Sequence, residues 1–441
     1  MISEAATART MAVEGPVAPI DARLRVPGDK SISHRAAMLG GIAEGTTRIR
    51  NFLPATDCLA TLEVMRGLGV EVEYSSDEVL VHGRGMEGLV EPARPLECGG
   101  SGTTMRLMSG LLAGQPFYSI LAGNAQLSRR PMDRVARPLR EMGATILGRE
   151  GGRLAPLTIQ GGNLKGISYR PPVASAQIKS AVVLAGLFAE GETAVEEIAP
   201  TRDHTERMLM SMGADLIVEG STVRVRPSRL KAIDVDVPGD ISSAAFILAA
   251  AAIVPGSRVV VEGVGLNSGR TGFLHALERM GAVVRLHNEH ESNGEPVADV
   301  EVAYRELKGI AISAEDVPGM IDELPMLAVV ATQAEGMTEV RGAAELRVKE
   351  TDRIATTAAE LTRMGADIEP LPDGFRLHGS TTLSGAQVSS HGDHRLAMSL
   401  SIAALVAKGA TTVEDTECVD DSFPGFEAAL RTLIGGGSNG E

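Results

Sequence analysis

The chain has 441 residues, enough for two or three domains at about one domain per 150 residues. Its formal net charge of −15 disfavours a nucleic-acid partner, and aromatic residues, at 3%, are too scarce for stacking on single-stranded bases. Three cysteines suit neither a disulfide framework nor a zinc cluster, so we expect a reducing, cytoplasmic location. Residues 1–19 contain no apolar signal core, and no apolar run is long enough to span a membrane. We therefore predict a disordered tail over 1–19 and no membrane partner.

The first predicted helix follows a Pro-Gly turn in the sequence PGDKSISHR, residues 27–35. Ser31 is a good N-cap, so we expect the helix to begin there and to point its free N–H groups at an anion. Lys30 lies at this helix start, and Ser31 and Arg35, four residues apart, share one helix face. The same pattern also suits an ordinary capped helix with two solvated cations, so this turn alone leaves both interpretations open.

One pattern repeats six times along the chain. An apolar helix is followed by a strand rich in Thr, Val, Ile and Arg, and in the first five repeats an amphipathic helix and two strands come next. The amphipathic helices end in glycines at 69, 143, 213, 281 and 365, where we expect helix C′ residues. Such self-similarity indicates one supersecondary unit used six times, with the apolar helices buried.

The sequence VPGD at 237–240 repeats VPGD at 26–29, and Pro-Gly pairs make tight turns. We therefore predict an N-terminal lobe over 28–237 and a C-terminal lobe formed by 20–27 together with 238–441, with three repeats in each. The two chain crossings would act as a hinge, and we expect ligands to bind between the lobes, which would close around them.

Polar and cationic residues collect at the predicted helix starts of the N-terminal half. Gly102 lies in a second glycine-rich loop, and Arg130 precedes a proline that opens a helix. Ser175, Gln177 and Arg202 begin two further helix faces. A flexible loop or a solvated arginine explains any one of these clusters, whereas their recurrence favours anion binding.

The C-terminal half adds carboxylates to this pattern. In LRVKETDR, residues 346–353, Lys349 and Arg353 are four residues apart and Glu350 is three before Arg353, so a carboxylate stands beside two cations. A surface ladder of salt bridges is the alternative interpretation. The sequences IDELP and DHR precede two further apolar helices, and together these clusters exceed what solvation of the surface requires.

Seven motifs, PGDKSISHR, GTTMR, RRPM, ASAQIKSA, IDELP, LRVKETDR and DHR, follow in order the pattern of the 5-enolpyruvylshikimate-3-phosphate (EPSP) synthase family, over residues 20–435. The resemblance implies an α/β (α+β) enolpyruvyl transferase fold of two domains, built from six βαβαββ units, three per domain, with buried parallel helices. It implies transfer of the enolpyruvyl group of phosphoenolpyruvate to the 5-hydroxyl of shikimate 3-phosphate, in the shikimate pathway to chorismate and aromatic amino acids. It further implies a cytoplasmic monomer without metal or organic cofactor, in a family that is a target of glyphosate.

Residue roles carry over by position. The resemblance assigns shikimate 3-phosphate to Lys30, Ser31, Arg35, Ser175, Ala176, Gln177, Arg202, Asp322 and Lys349. It assigns phosphoenolpyruvate to Lys30, Gly102, Arg130, Gln177, Arg353 and Arg395. Catalysis is expected from Asp322, as base on the 5-hydroxyl, from Glu350, as proton shuttle at carbon 3, and from Lys30. For His394 a packing role and a catalytic role are equally open.

Two positions depart from the more familiar family pattern: Gly100 stands where an asparagine is usual, and Asp421 where a basic residue is usual. The related UDP-N-acetylglucosamine enolpyruvyl transferase carries a reactive cysteine before an Arg-Pro pair, and the corresponding loop, 123–131, has none. A non-catalytic protein that binds anionic metabolites is a second alternative. The presence of both Asp322 and Glu350 argues against it, because a binder of anions gains nothing from carboxylates beside its ligand.

Overall fold

The structure, a computed structural model, describes residues 9–435 and divides into two compact units. Unit N comprises Gly28–Pro238 and Glu291–Pro296. Unit C comprises the described residues up to Pro27, then Gly239–His290, and those from Val297 onward. The sequence prediction placed residues 291–296 in the C-terminal lobe, whereas the structure groups them with unit N.

The helices, in chain order, are α1 (Lys30–Ile42), α2 (Thr56–Gly67), α3 (Gly102–Ala113), α4 (Asp133–Glu141), α5 (Arg149–Gly152), α6 (Ala176–Gly186), α7 (His204–Ser211), α8 (Ile241–Ile253), α9 (Gly272–Met280), α10 (Leu324–Thr332), α11 (Arg353–Arg363), α12 (His394–Ala403) and α13 (Phe426–Gly435).

The strands are β1 (Met11–Gly15), β2 (Asp21–Arg25), β3 (Ala43–Arg50), β4 (Glu71–Tyr74), β5 (Glu78–Arg84), β6 (Leu96–Glu97), β7 (Tyr118–Ala122), β8 (Thr145–Gly148), β9 (Leu154–Gln160), β10 (Ser168–Tyr169), β11 (Thr193–Glu196), β12 (Leu216–Glu219), β13 (Thr222–Val225), β14 (Leu230–Lys231), β15 (Val235–Asp236), β16 (Arg258–Gly265), β17 (Val283–Ser292), β18 (Glu295–Ala303), β19 (Ala311–Ile312), β20 (Met337–Val340), β21 (Asp367–Leu371), β22 (Gly374–His378), β23 (Gln387–Ser389) and β24 (Gly409–Glu414).

Each unit contains three small sheets built on one plan. In the sheet β6-β7-β9-β8, β6 pairs in parallel with β7 across helix α3, and β9 pairs antiparallel with both β7 and β8. The same order recurs as β10-β11-β13-β12 and β14-β3-β5-β4 in unit N, and as β19-β20-β22-β21 and β2-β16-β18-β17 in unit C. The predicted mixed α/β fold of repeated βαβαββ units is therefore confirmed.

The helix that follows the first strand of each repeat is buried, because it is apolar on nearly every face. These helices are α1, α3 and α6 in unit N and α8, α10 and α12 in unit C. Each unit has its own large apolar core around its three helices. The five glycines predicted to end the amphipathic helices all have positive φ, between 84° and 115°, as a C′ residue requires. Within residues 9–435, no helix combines the length and the apolar character needed to cross a lipid bilayer.

The prediction of a disordered tail over 1–19 is wrong for its described part. Strand β1 pairs antiparallel with β24, and Met11 and Val13 are buried beneath it. The sheet β1-β24-β23 thereby obtains from the N-terminus the antiparallel strand that the sixth repeat lacks. An alternation of only two apolar residues in MAVEG was too short to indicate a strand. Residues 1–8 lie outside the described part of the chain.

Candidate active site

Helix α1 carries the first cluster of predicted site residues. Its N-cap is Asp29 instead of the predicted Ser31: the Asp29 Oδ1 atom accepts a hydrogen bond from the Ile32 backbone N–H at 2.9 Å. Aspartate caps as well as serine, and the helix consequently starts at Lys30. The Lys30 Nζ atom lies 2.5 Å from an Asp57 carboxylate oxygen. The cation at the helix start is therefore held by an acid from helix α2.

Arg35 is buried, with 3% of its surface exposed. Its Nε donates to the Thr205 hydroxyl at 2.6 Å, and its two Nη atoms donate to the Ser31 carbonyl at 2.9 Å and the Ser180 hydroxyl at 3.0 Å. Burial lowers the pKa of Arg35 to about 10, and the charge of Arg202 lowers it further against the opposing effect of Glu206. A buried cation with neutral hydrogen-bond partners is costly, and an anionic ligand would offset that cost.

One carboxylate near Arg35, that of Glu206, is paired with a buried lysine. Lys179, 1% exposed, forms ion pairs with Glu206 at 2.6 Å and with Glu197 at 2.9 Å. Burial raises the pKa of Glu206, and the charge of Lys179 opposes this rise. Lys179 in the ASAQIKSA motif therefore acts as the internal counter-ion of Glu206, and the hydrogen-bond partners of Arg35 are neutral groups.

A second cationic cluster surrounds the start of helix α3. A Cβ atom added at Gly102 would lie 3.0 Å from the Arg106 Nη1 atom and 3.2 Å from the Arg130 guanidinium carbon, so both arginines approach this glycine closely. Gln177 accepts a hydrogen bond from Arg106 at 2.7 Å and donates one to Thr103 at 3.0 Å. The structure thus brings together Gly102, Arg130 and Gln177, which the sequence predicted to share a ligand.

The remaining predicted residues of unit N also begin helices. Ser175 is the N-cap of α6, where its hydroxyl accepts from the Ile178 N–H at 3.4 Å, and Ala176 is the first residue of that helix. Arg202 precedes α7 and is close enough to Arg35 to affect its pKa. These helix starts therefore present N–H groups beside two arginines.

The opposite arrangement occurs in unit C, where Arg353, 2% exposed, is surrounded by carboxylates. It binds both oxygens of Asp393, at 2.7 and 3.1 Å, and the Glu350 carboxylate at 2.7 Å. Its Nη1 atom lies 3.5 Å from Asp322. Burial alone would lower the pKa of Arg353, but the charges of Asp393, Glu350 and Asp322 raise it above its usual value.

Lys349 and Arg395 complete the cluster in unit C. The Lys349 Nζ atom lies 3.5 Å from the same Asp322 oxygen that contacts Arg353. Arg395 approaches the buried Glu323 at 3.4 Å, and its backbone N–H is capped by Asp393 at 3.0 Å. The two predicted acid–base residues, Asp322 and Glu350, are therefore held by one shared arginine. His394 is the buried first residue of helix α12.

Sequence reasoning gave no role to four residues that organise these clusters: Asp57, Ser180, Thr205 and Asp393. Two of them lie inside quoted motifs, since Ser180 is in ASAQIKSA and Asp393 in DHR, and Thr205 follows the predicted Arg202 by three positions. Asp57 lies in no motif, so only the structure identifies it as the partner of Lys30. At the variant position Gly100, the Asn124 side-chain amide lies 3.3 Å from where a Cβ atom would be, so an amide still occupies this region.

A metal-binding arrangement occurs away from these clusters. In the part of the chain that the structure describes, the one group of three ligand-type side chains close enough to share an ion is Glu71, Glu73 and His82. The two glutamates are exposed, and His82 is already hydrogen-bonded to Glu73 at 2.7 Å. None of the three belongs to the predicted site.

Comparisons with known proteins agree with the motifs. The family model "EPSP synthase (3-phosphoshikimate 1-carboxyvinyltransferase)" matches residues 15–430. The chain is 51% identical over 93% of its length to the 3-phosphoshikimate 1-carboxyvinyltransferase of Brevibacillus brevis, covering 97% of that protein, and 54% identical over 92% of its length to that of Desulforudis audaxviator, covering 96% of that protein. A solved EPSP synthase from Acinetobacter baumannii superposes with a TM-score of 0.86 at 47% identity, over 96% of this chain and 98% of that one. This chain therefore belongs to the EPSP synthase family.

Proposed function

We propose that this chain transfers the enolpyruvyl group of phosphoenolpyruvate to the 5-hydroxyl of shikimate 3-phosphate, with release of inorganic phosphate. The observation that carries the proposal, for a chain of this family, is the contact of Asp322 and Glu350 with the same buried arginine, Arg353. A transfer of this kind requires proton movements at two separate atoms, and two fixed carboxylates can perform them.

The reaction moves protons at two substrate atoms, the oxygen of the 5-hydroxyl and carbon 3 of phosphoenolpyruvate. Asp322 takes the proton of the 5-hydroxyl while the hydroxyl oxygen attacks carbon 2 of phosphoenolpyruvate, and Glu350 delivers a proton to carbon 3. In the tetrahedral adduct that results, the bond from carbon 2 to the phosphate oxygen then breaks, Glu350 recovers a proton from carbon 3, and the proton held by Asp322 passes to the departing phosphate, which restores both carboxyl groups. The products are the enol ether and phosphate, so the atoms and charges balance.

The remaining residues supply binding and electrostatic stabilisation. In this proposal Lys30 contacts both substrates and assists catalysis. Shikimate 3-phosphate is bound by Lys30, Ser31, Arg35, Ser175, Ala176, Gln177, Arg202, Asp322 and Lys349. Phosphoenolpyruvate is bound by Lys30, Gly102, Arg130, Gln177, Arg353 and Arg395. The support is the clustering of these residues within each unit and the match of their motifs to the family.

The most informative experiment is a phosphate-release assay with phosphoenolpyruvate and either shikimate 3-phosphate or UDP-N-acetylglucosamine as acceptor. We expect phosphate release only when shikimate 3-phosphate is the acceptor. Release with the nucleotide sugar would favour the related transferase, and release with neither acceptor would favour a protein that only binds anions. A Glu350→Gln variant, assayed in parallel, controls for contaminating phosphatase activity.

We further propose that the enzyme works as a cytoplasmic monomer. The support is the membership of the chain in the EPSP synthase family and the lack of a disulfide among Cys58, Cys98 and Cys418, as a reducing compartment requires. Light scattering coupled to size exclusion should give the mass of a single chain, with or without shikimate 3-phosphate. A dimer mass at assay concentration would contradict this part of the proposal.

A further inference from the structure

The tip of the hairpin formed by β17 and β18 groups with unit N, although both strands continue into unit C. The Arg207 guanidinium donates to the Gly294 carbonyl at 2.5 Å. The Asn293 side chain donates to the Asp234 carbonyl at 2.7 Å and accepts from the Asp236 N–H at 3.0 Å. The tip is therefore fixed to unit N by side-chain and backbone hydrogen bonds, which distinguishes it from an ordinary hairpin turn.

Glu295 points from this tip into the interior of unit N. It is 6% exposed, and its Oε1 atom lies 2.7 Å from the Nδ1 atom of His204, which is 2% exposed. His204 is the first residue of helix α7 and follows Arg202 by two positions. Burying a carboxylate costs free energy, which this contact with His204 partly offsets.

The start of helix α7 in turn holds Arg35. Thr205, the neighbour of His204, accepts the hydrogen bond from the Arg35 Nε atom at 2.6 Å, and its hydroxyl also lies 2.7 Å from that of Ser180. The charge of Glu295 is one of those that act on the pKa of Arg35. A continuous series of short contacts therefore runs from the hairpin tip to the buried arginine.

We propose that Glu295 is a positioning residue for shikimate 3-phosphate, acting through His204 to fix the start of helix α7 and, with it, Thr205, Arg35 and Arg202. This inference rests on the proposed function, because it names shikimate 3-phosphate as the ligand of Arg35. A purely architectural role would change the stability of the protein and leave the affinity for this substrate unchanged.

The test compares Glu295→Ala, Glu295→Gln and the control Glu291→Ala in the full chain. Glu291 is an exposed carboxylate on the same tip. Calorimetry without phosphoenolpyruvate gives the dissociation constant of shikimate 3-phosphate, and steady-state kinetics give kcat and both KM values. We expect Glu295→Ala to weaken shikimate 3-phosphate binding at least about tenfold, with the KM for phosphoenolpyruvate changed less than about threefold. Glu295→Gln should recover most of the affinity, since its amide oxygen accepts the same hydrogen bond, and Glu291→Ala should match the wild type.

A double variant tests the route through His204. If Glu295 acts through this histidine, Glu295→Ala should weaken binding no further in a His204→Ala background. Additive losses, or wild-type affinity in Glu295→Ala, would overturn the proposal. If Glu295→Ala does not fold, Glu295→Asp replaces it. Wild-type affinity in this variant, whose side chain is one methylene shorter, would also overturn the proposal. Failure of the proposed function would appear separately, as a wild-type protein that releases no phosphate.

Discussion

Arg35 in unit N and Arg353 in unit C are both almost fully buried, yet their surroundings are opposite. Arg35 donates hydrogen bonds to two hydroxyls and a carbonyl, and its pKa is lowered to about 10. Arg353 is in contact with three carboxylates, and its pKa is raised. The difference lies in the neighbours, because both residues lose their hydration to a similar extent.

This contrast suggests different uses for the same side chain. A buried guanidinium among neutral oxygens retains its attraction for an anion, so we infer that Arg35 binds an anionic group of a substrate. A guanidinium among carboxylates is largely neutralised, so we infer that Arg353, besides its proposed contact with phosphoenolpyruvate, holds acids in place for proton transfer. Unit N would then contribute mainly binding, and unit C mainly acid–base chemistry.

The largest effect should follow from removing a proton-transfer group in unit C. Replacing Glu350 by glutamine should lower kcat about 10²- to 10⁴-fold, the usual contribution of a general acid or base. Glu315, an exposed carboxylate of the same unit, provides the control Glu315→Gln, which should retain full activity. Equal turnover in Glu350→Gln and the wild type would remove Glu350 from the mechanism.

The comparison of the two arginines also predicts unequal stability losses. Arg353→Met leaves Asp393, Glu350 and Asp322 without their shared cation and should lower the free energy of unfolding by about 3–5 kcal/mol. Arg35→Met leaves only neutral hydrogen-bond partners, and the hydroxyls of two of them already lie within hydrogen-bond distance of each other, so the loss should be about 1 kcal/mol or less. Urea unfolding without ligands measures both. Equal losses would break the comparison.

A third variant should separate the two cationic clusters of unit N. Gly102→Ala places a methyl group 3.0 Å from Arg106 and 3.2 Å from Arg130, so these side chains must shift. The KM for phosphoenolpyruvate should rise about tenfold, because small displacements of binding groups are costly. Because Arg35 is not among the atoms nearest to this methyl group, the KM for shikimate 3-phosphate should rise less than that for phosphoenolpyruvate, through the contact of Arg106 with Gln177 alone. An equal rise in both would show that the clusters are not independent.

The smallest expected effect is on the pH dependence of stability. Burial, together with the charges of Lys30 and Arg35, holds the pKa of His34 well below its usual 6.5. The unfolded chain gains a proton at His34 below pH 6.5 and the folded chain does not, so stability should fall as the pH decreases, by up to about 1.4 kcal/mol per pH unit.

His34→Gln should reduce this slope, measured by urea unfolding between pH 7 and pH 5. An unaltered slope in His34→Gln would show that His34 is not the group responsible.

The sequence predicted the repeated units of the fold well, for a physical reason. Apolar helices and C′ glycines are local signals, and they correctly indicated the buried helices and the ends of the amphipathic ones. The strand β1 was missed because a short strand is stabilised by its partner β24, which lies almost 400 residues away in the chain. The N-cap of α1 was misplaced because Asp29 and Ser31 are both good caps, and only the structure distinguishes them.

The contacts that organise the predicted clusters were less accessible to sequence reasoning. Glu295 and His204 are 91 positions apart, and Arg353 and Asp393 are 40 apart, so no local pattern connects them. Sequence motifs identify ligand-binding residues more readily than they identify the residues that hold those side chains in place. The opposite pKa shifts of Arg35 and Arg353 likewise depend on tertiary neighbours.

The central claim is that Arg35 binds substrate while the carboxylates around Arg353 perform chemistry. Calorimetric titration of shikimate 3-phosphate, without phosphoenolpyruvate, into wild type, Arg35→Met and Glu350→Gln tests it most directly. We predict wild-type affinity in Glu350→Gln and about 100-fold weaker binding in Arg35→Met, the loss of charge-assisted hydrogen bonds. Undiminished affinity in Arg35→Met, or loss of binding in Glu350→Gln, would contradict this division of roles.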